Sequence, residues 1–166
     1  MKQIIAVLLA LVIVVSFPGC TKTKERDLLI DYSKAIADGI PDDMSLTIYY
    51  LPFTVLTYAP VKPEELPYIS TVQKILIEQK ELSSQLDALR KIDSTILKPV
   101  EEQGRVNARL YYFFELGNGD RILEVVISAD YTTRVNGIDV EYDSVLYDAV
   151  SPFLRKTGDG SVSSSG

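Results

Sequence analysis

Apolar side chains fall at Leu28, Leu29, Tyr32, Ala35 and Ile36 along residues 25–38, ERDLLIDYSKAIAD. That spacing is one face of a helix, and Gly39 with Pro41 just beyond supplies a stop. The period then drops to two. SLTIYYL (45–51) alternates Leu46, Ile48 and Tyr50 with Thr47 and Tyr49, which predicts a strand. Residues 52–68 contain Pro52, Pro60, Pro63 and Pro67. Proline fixes φ and removes a ladder donor, so this stretch is expected to run over the surface, with TVLTY (54–58) as a candidate edge strand. TVQKILI (71–77) predicts a short strand. QKELSSQLDALRKI (79–92) sets Leu82, Leu86, Leu89 and Ile92 on one stripe and predicts a single helix.

The strongest strand pattern is RVNARLYYFFEL (105–116). Val106, Ala108, Leu110, Tyr112, Phe114 and Leu116 share one face, and Arg105, Asn107, Arg109, Tyr111, Phe113 and Glu115 the other. GNGD (117–120) is a turn signal, and RILEVVISA (121–129) is the returning strand. Asn136-Gly137 sits between TTRV and IDV and predicts a second hairpin over 132–140. YDSVLYDAVSPFL (142–154) places Tyr142, Leu146, Ala149 and Phe153 on a helical stripe, with Asp143 as its cap and Pro152 loosening its last turn. Consecutive hairpins make an antiparallel meander whose apolar face needs a cover. The expected fold class is α+β: a two-layer sandwich, an antiparallel meander sheet with two or three helices on one face. The other face would present Arg109, Tyr111, Phe113 and Glu115.

The front of the chain follows a different pattern. MKQIIAVLLALVIVVSFPGC has one early cation, Lys2, then uninterrupted apolar residues from Ile4 to Val15. A helix from Ile4 to Phe17 would rise about 21 Å, against about 30 Å of hydrocarbon, so the run reads as a secretory signal and not as a membrane span. The one cysteine, Cys20, stands where the apolar run ends. The stretch resembles the cleavage box of bacterial lipoproteins. Gly19 fits the small residue before the cysteine, Phe17 stands where Leu is usual, and Pro18 where Ala or Ser is. The resemblance implies that residues 1–19 are removed and that Cys20 receives a diacylglyceryl group and becomes the mature N-terminus. The expected location is the extracytoplasmic side of a cell membrane, held there by the N-terminal lipid. Residues 20–26 would be the lipidated start and tether, 27–155 one globular domain, and 156–166 a Gly/Ser-rich disordered tail. The body resembles the small lipoproteins common in bacteria, a resemblance that implies no activity.

Composition narrows the chemistry. With Cys20 lipidated no thiol remains for a disulfide, and the chain has no histidine. That leaves no imidazole base, no Ser-His-Asp arrangement and no thiol nucleophile. The formal net charge of −6 opposes general affinity for nucleic acid. Asp38, Asp42 and Asp43 lack the spacing of a calcium loop and read as turn chemistry. The pairs Glu64-Glu65 and Glu101-Glu102 read as solvated loop residues. No catalytic, cofactor-binding or metal-binding residue is therefore assigned, and no cofactor is expected.

The sequence holds ten tyrosines and no tryptophan. Adjacent tyrosines in a strand face opposite sides, so Tyr49, Arg109, Tyr111 and Phe113 form a candidate interaction face for a protein or glycan partner at the cell envelope. The alternative is that strand propensity placed these rings, and that the proline-rich segment covers them. The leading expectation for function is a membrane-anchored, non-catalytic binding or protein-interaction module. The alternatives are a small carboxylate-dependent hydrolase of envelope polymers and an inhibitor of a secreted enzyme acting through the 52–68 loop.

Overall fold

The structure, a computed structural model, describes residues 29–101 and 104–156. The expected signal, Cys20 and the expected tether lie outside the described residues, as does the expected tail of 156–166 apart from Lys156, which ends the last helix. Helix α1 (Ile30–Ala37) is followed by β1 (Ser45–Tyr50), a 3-10 helix (Pro63–Tyr68) and β2 (Gln73–Glu78). Two short helices, α2 (Gln79–Ser83) and α3 (Leu86–Leu89), lead to β3 (Ala108–Glu115) and β4 (Arg121–Ser128). The chain closes with β5 (Thr133–Val135), β6 (Ile138–Val140), α4 (Ser144–Asp148) and α5 (Ser151–Lys156). The fold is α+β.

One antiparallel six-stranded sheet runs in the order β2-β1-β3-β4-β5-β6. Strands β3 to β6 form the expected meander. The front half departs from it, because β1 pairs with β3 on one side and with β2 on the other. Strand β2 thereby becomes an edge. At the β5–β6 turn Asn136 (φ 47°) and Gly137 (φ 83°) are both left-handed, the geometry an Asn-Gly hairpin requires.

The main core lies between the sheet and the helices. Leu46, Ile48, Ile75, Ile77, Leu110, Tyr112, Phe114, Leu123, Val125 and Ile127 come from the sheet. Leu29, Tyr32 and Ile36 cover them from the α1 side, Leu82, Leu89 and Ile92 from α2–α3, and Leu146, Ala149 and Phe153 from α4–α5. Two buried phenols tie the layers together. The Tyr32 hydroxyl donates to the Leu89 carbonyl at 3.1 Å, and the Tyr112 hydroxyl to the Leu146 carbonyl at 2.8 Å.

Four expectations are corrected. The 79–92 helix is two short ones, because Ser83 Oγ donates to the Gln79 carbonyl and Ser84 Oγ to the Glu81 carbonyl, and Gln85 leaves helical geometry. Its leucine stripe still faces the core. The 142–154 helix is likewise divided, and Pro152 opens the second piece, where its missing N–H costs nothing. Asp143 caps the first piece by accepting from the Val145 N–H. The single face expected for 105–116 is split. A register shift between Ala108 and Leu110 turns Val106 and Ala108 to the opposite side from Leu110, Tyr112 and Phe114. Residues 54–58 form no strand; a turn from the Pro52 carbonyl to the Val55 N–H bends them back over the sheet.

Burial pushes the Tyr32 and Tyr112 phenols well above their ordinary value. The folded protein therefore keeps protons that the unfolded chain releases above about pH 10. Their contribution is fully present below that pH and is lost as pH rises beyond it. Denaturant unfolding followed against pH should show stability falling above about pH 10. Tyr112→Phe should flatten that fall while costing about 1–3 kcal/mol at neutral pH, where it leaves the Leu146 carbonyl unpaired.

Candidate functional site

Tyr49, Arg109, Tyr111 and Phe113 do gather on the sheet face away from the helices. Tyr49 lies opposite Tyr111, with ring centroids 6.0 Å apart and nearly parallel at 15°. The Phe113 ring follows at 5.7 Å from Tyr111. The group is not an open platform, and this corrects the expected exposed face. Arg109 is 3% exposed, Tyr111 7% and Phe113 8%, and Tyr49 is half-buried. The chain from Leu51 to Val72 folds back over them and inserts Leu51, Val55, Val61, Leu66, Ile69 and Val72. The reason is the face itself: Ala108, Tyr111, Phe113 and Val126 are too apolar to leave in water.

Polar groups around these rings are paired with one another. Arg121 Cζ lies 3.9 Å from the Phe113 ring centroid, and its Nη1 reaches the Tyr111 hydroxyl at 3.0 Å and Glu124 Oε2 at 3.2 Å. The Tyr111 hydroxyl donates to Glu124 Oε2 at 3.1 Å. Burial first, and then the neighbouring Glu124 carboxylate, push that phenol up to about 12. Farther along, Arg134 grips the buried Asp139 in a two-point pair at 2.6 and 3.2 Å. Such closed pairs hold strands in place.

Arg109 is different, because none of the ion pairs among the described residues includes it. Its Nη1 donates to Asn107 Oδ1 (2.9 Å) and the Ala108 carbonyl (3.1 Å), and its Nη2 to the Val55 carbonyl (3.3 Å) and Thr57 Oγ1 (3.2 Å). Its buried Nε has no partner. Burial lowers the guanidinium's pKa below its ordinary value. This side chain is a pin driven through the sheet face into the covering segment. Backbone bonds fix the same segment at its start and near its middle, from the Leu51 N–H to the Arg109 carbonyl (2.7 Å) and from the Ala108 N–H to the Val61 carbonyl (2.8 Å).

The outer surface of the covering segment carries what the sequence reading did not single out. Leu56 is 96% exposed and Tyr68 88%, and Tyr58 is fully exposed. The 3-10 helix that carries Tyr68 starts with a reciprocal cap, in which Glu65 Oε2 accepts the Lys62 N–H at 3.0 Å. Leu66 points inward and Tyr68 outward from that helix. These apolar residues have no period, and their signal lay only in their occurrence within a proline-rich stretch.

A second aromatic group, also not foreseen, lies at another corner. Phe53 stacks on Tyr131 at 5.8 Å and meets Tyr50 and Tyr147 at 6.5 and 6.4 Å, while Tyr142 meets Tyr131 at 5.0 Å. Tyr142 therefore joins these rings and not the core stripe. Tyr131 is held at φ 63°, unusual for a bulky residue, at the αL position of the β4–β5 turn.

The remaining candidates stay apart. Asp43 Oδ2 accepts the Gly117 N–H at 3.2 Å, and among the described residues no three acidic side chains gather as a metal site. Glu64, Glu65 and Glu101 are exposed, and Glu102 lies outside the described residues. No helix among the described residues is long and apolar enough to cross a membrane. Comparison with protein-family models, curated proteins and solved structures gives no match to this chain.

Arg109→Ala should free the 52–58 turn and cost about 2–3 kcal/mol, because several charge-assisted bonds go at once. The check is limited proteolysis beside chemical denaturation: cleavage between Leu51 and Val61 should speed up more than global unfolding explains.

Proposed function

We propose that this chain is a membrane-anchored, extracytoplasmic lipoprotein that works as a non-catalytic protein-interaction module. Its partner is met through the ridge of Leu56, Tyr58 and Tyr68. The observation that carries this reading is the contrast within one segment. Val55, Val61 and Leu66 are packed inward and Arg109 pins Val55 and Thr57 from below, while Leu56, Tyr58 and Tyr68 stand in water.

A solvated loop has no need to be ordered from beneath. Holding it in one shape lowers the entropy lost on binding, and tyrosine adds rigid area with a polar tip. The anchor follows from the first twenty residues: the apolar run, the small Gly19 and the lone Cys20. Two acyl chains on Cys20 would hold the domain stably at the bilayer surface. An ordered projecting loop is also what an inhibitor of a secreted enzyme presents, so such an enzyme is one partner of this class.

A photo-crosslinking residue placed at Tyr58 or Tyr68 in cells should capture one protein. The same residue at exposed Lys91, on the helix-covered side, should not. Capture should be lost in Cys20→Ser. It should also be lost in Leu56→Ser/Tyr58→Ser, which should change stability by no more than about 0.5 kcal/mol. Equal capture from Lys91, or capture indifferent to Leu56 and Tyr58, would defeat the reading.

A further inference from the structure

We propose that β2 is the contact edge of a symmetric dimer, pairing antiparallel with β2 of a second copy about a two-fold axis at Leu76. The two edges of the sheet are treated differently. The β6 edge is covered by the chain at Lys98–Val100: the Glu141 N–H bonds the Lys98 carbonyl at 2.8 Å, the Val100 N–H bonds the Asp139 carbonyl at 3.0 Å, and Pro99 bridges to Val140. Strand β2 pairs with β1 through all six residues without a register shift. From Lys74 to Glu78 no other backbone segment among the described residues bonds its outer rim. It carries neither a proline nor a bulge, two of the devices that blunt an edge.

The pattern on β2 matches its own reverse. Ile75 and Ile77 face the core, while Lys74, Leu76 and Glu78 face out, with Leu76 59% exposed. Antiparallel pairing centred on Leu76 sets Lys74 opposite the partner's Glu78, and Glu78 opposite the partner's Lys74. Leu76 meets its own counterpart, and on the core side Ile75 meets the partner's Ile77. Moving the axis to Ile75 or Ile77 sets Leu76 against a charged side chain. Moving it by half a residue sets buried side chains against exposed ones. Only the Leu76 register satisfies both faces, and it repeats each contact twice, as a two-fold interface must. Neither Lys74 nor Glu78 belongs to an ion pair among the described residues. Lys74 is already held over the sheet, with Nζ 5.7 Å from the Tyr49 ring centroid. The product is one continuous sheet through two molecules.

Sedimentation of the detergent-solubilised full chain tests this. The expected particle is a dimer at micromolar concentration. Lys74→Glu or Glu78→Lys alone should weaken association about tenfold or more, because each places two like-charged pairs across the axis. The double variant Lys74→Glu/Glu78→Lys should restore it, and circular dichroism should show all three folded. Leu76→Cys in the Cys20→Ser chain should close a disulfide between copies on mild oxidation, since opposed Cα atoms in such a pair lie about 4.5–5.5 Å apart. A monomer at every concentration overturns the proposal. So does a dimer indifferent to the single reversals, or a double variant that does not recover.

Discussion

A sheet with two apolar faces must be covered twice, and most of this structure follows from that constraint. The helices bury one face, with Tyr112, Phe114 and the aliphatic residues around them. The opposite face of β3 and β4 carries Ala108, Tyr111, Phe113 and Val126, and no α-helix among the described residues covers it. The chain between β1 and β2 does so instead. Its prolines suit the task, because a segment unable to join a ladder can still lie across one and send Val55, Val61 and Leu66 downward.

Covering a sheet with irregular chain leaves backbone groups that need partners. Arg109 answers much of that need. No carboxylate among the described residues pairs with it, and it donates instead to the Val55 carbonyl, Thr57 Oγ1, Asn107 Oδ1 and the Ala108 carbonyl. Asn107 adds a bond from the Val61 N–H at 3.1 Å. One consequence is an ordered strap, and another is that some of its side chains have nowhere to go but out. Leu56, Tyr58 and Tyr68 are exposed side chains of the same strap whose inward side chains close the second core.

The edges of the sheet follow from chain order. Placing β2 outside β1 lets α2 and α3 drop directly onto the helix-side core, where Leu82 and Leu89 are buried. It also leaves β2 as an edge. At the far end, Lys98–Val100 returns alongside β6 and closes that rim. The two rims differ because of the topology: Lys98–Val100 covers one, while from Lys74 to Glu78 no other described backbone segment bonds the other, which carries the self-matching pattern Lys74–Leu76–Glu78.

Local physics, legible in the sequence, determined the α+β class, the period-two runs of β1, β3 and β4, the Asn-Gly turn at 136–137 and the leucine stripe at 82–92. In each, backbone preference and side-chain period agree within a few residues. Tertiary structure alone decided the rest. The alternation in 105–116 gave no warning of the shift at Ala108–Leu110, because a bulge is set by the partner strand. The serines at 83 and 84 divided the helix while its apolar spacing stayed intact, since spacing does not register competition for backbone carbonyls. The sequence placed Tyr49, Arg109, Tyr111 and Phe113 together on one face. Whether water or the proline-rich strap would cover them depended on contacts between residues some fifty positions apart, such as Arg109 with Val55. No local pattern carries that information, because the energy that decides it exists only once the sheet has formed.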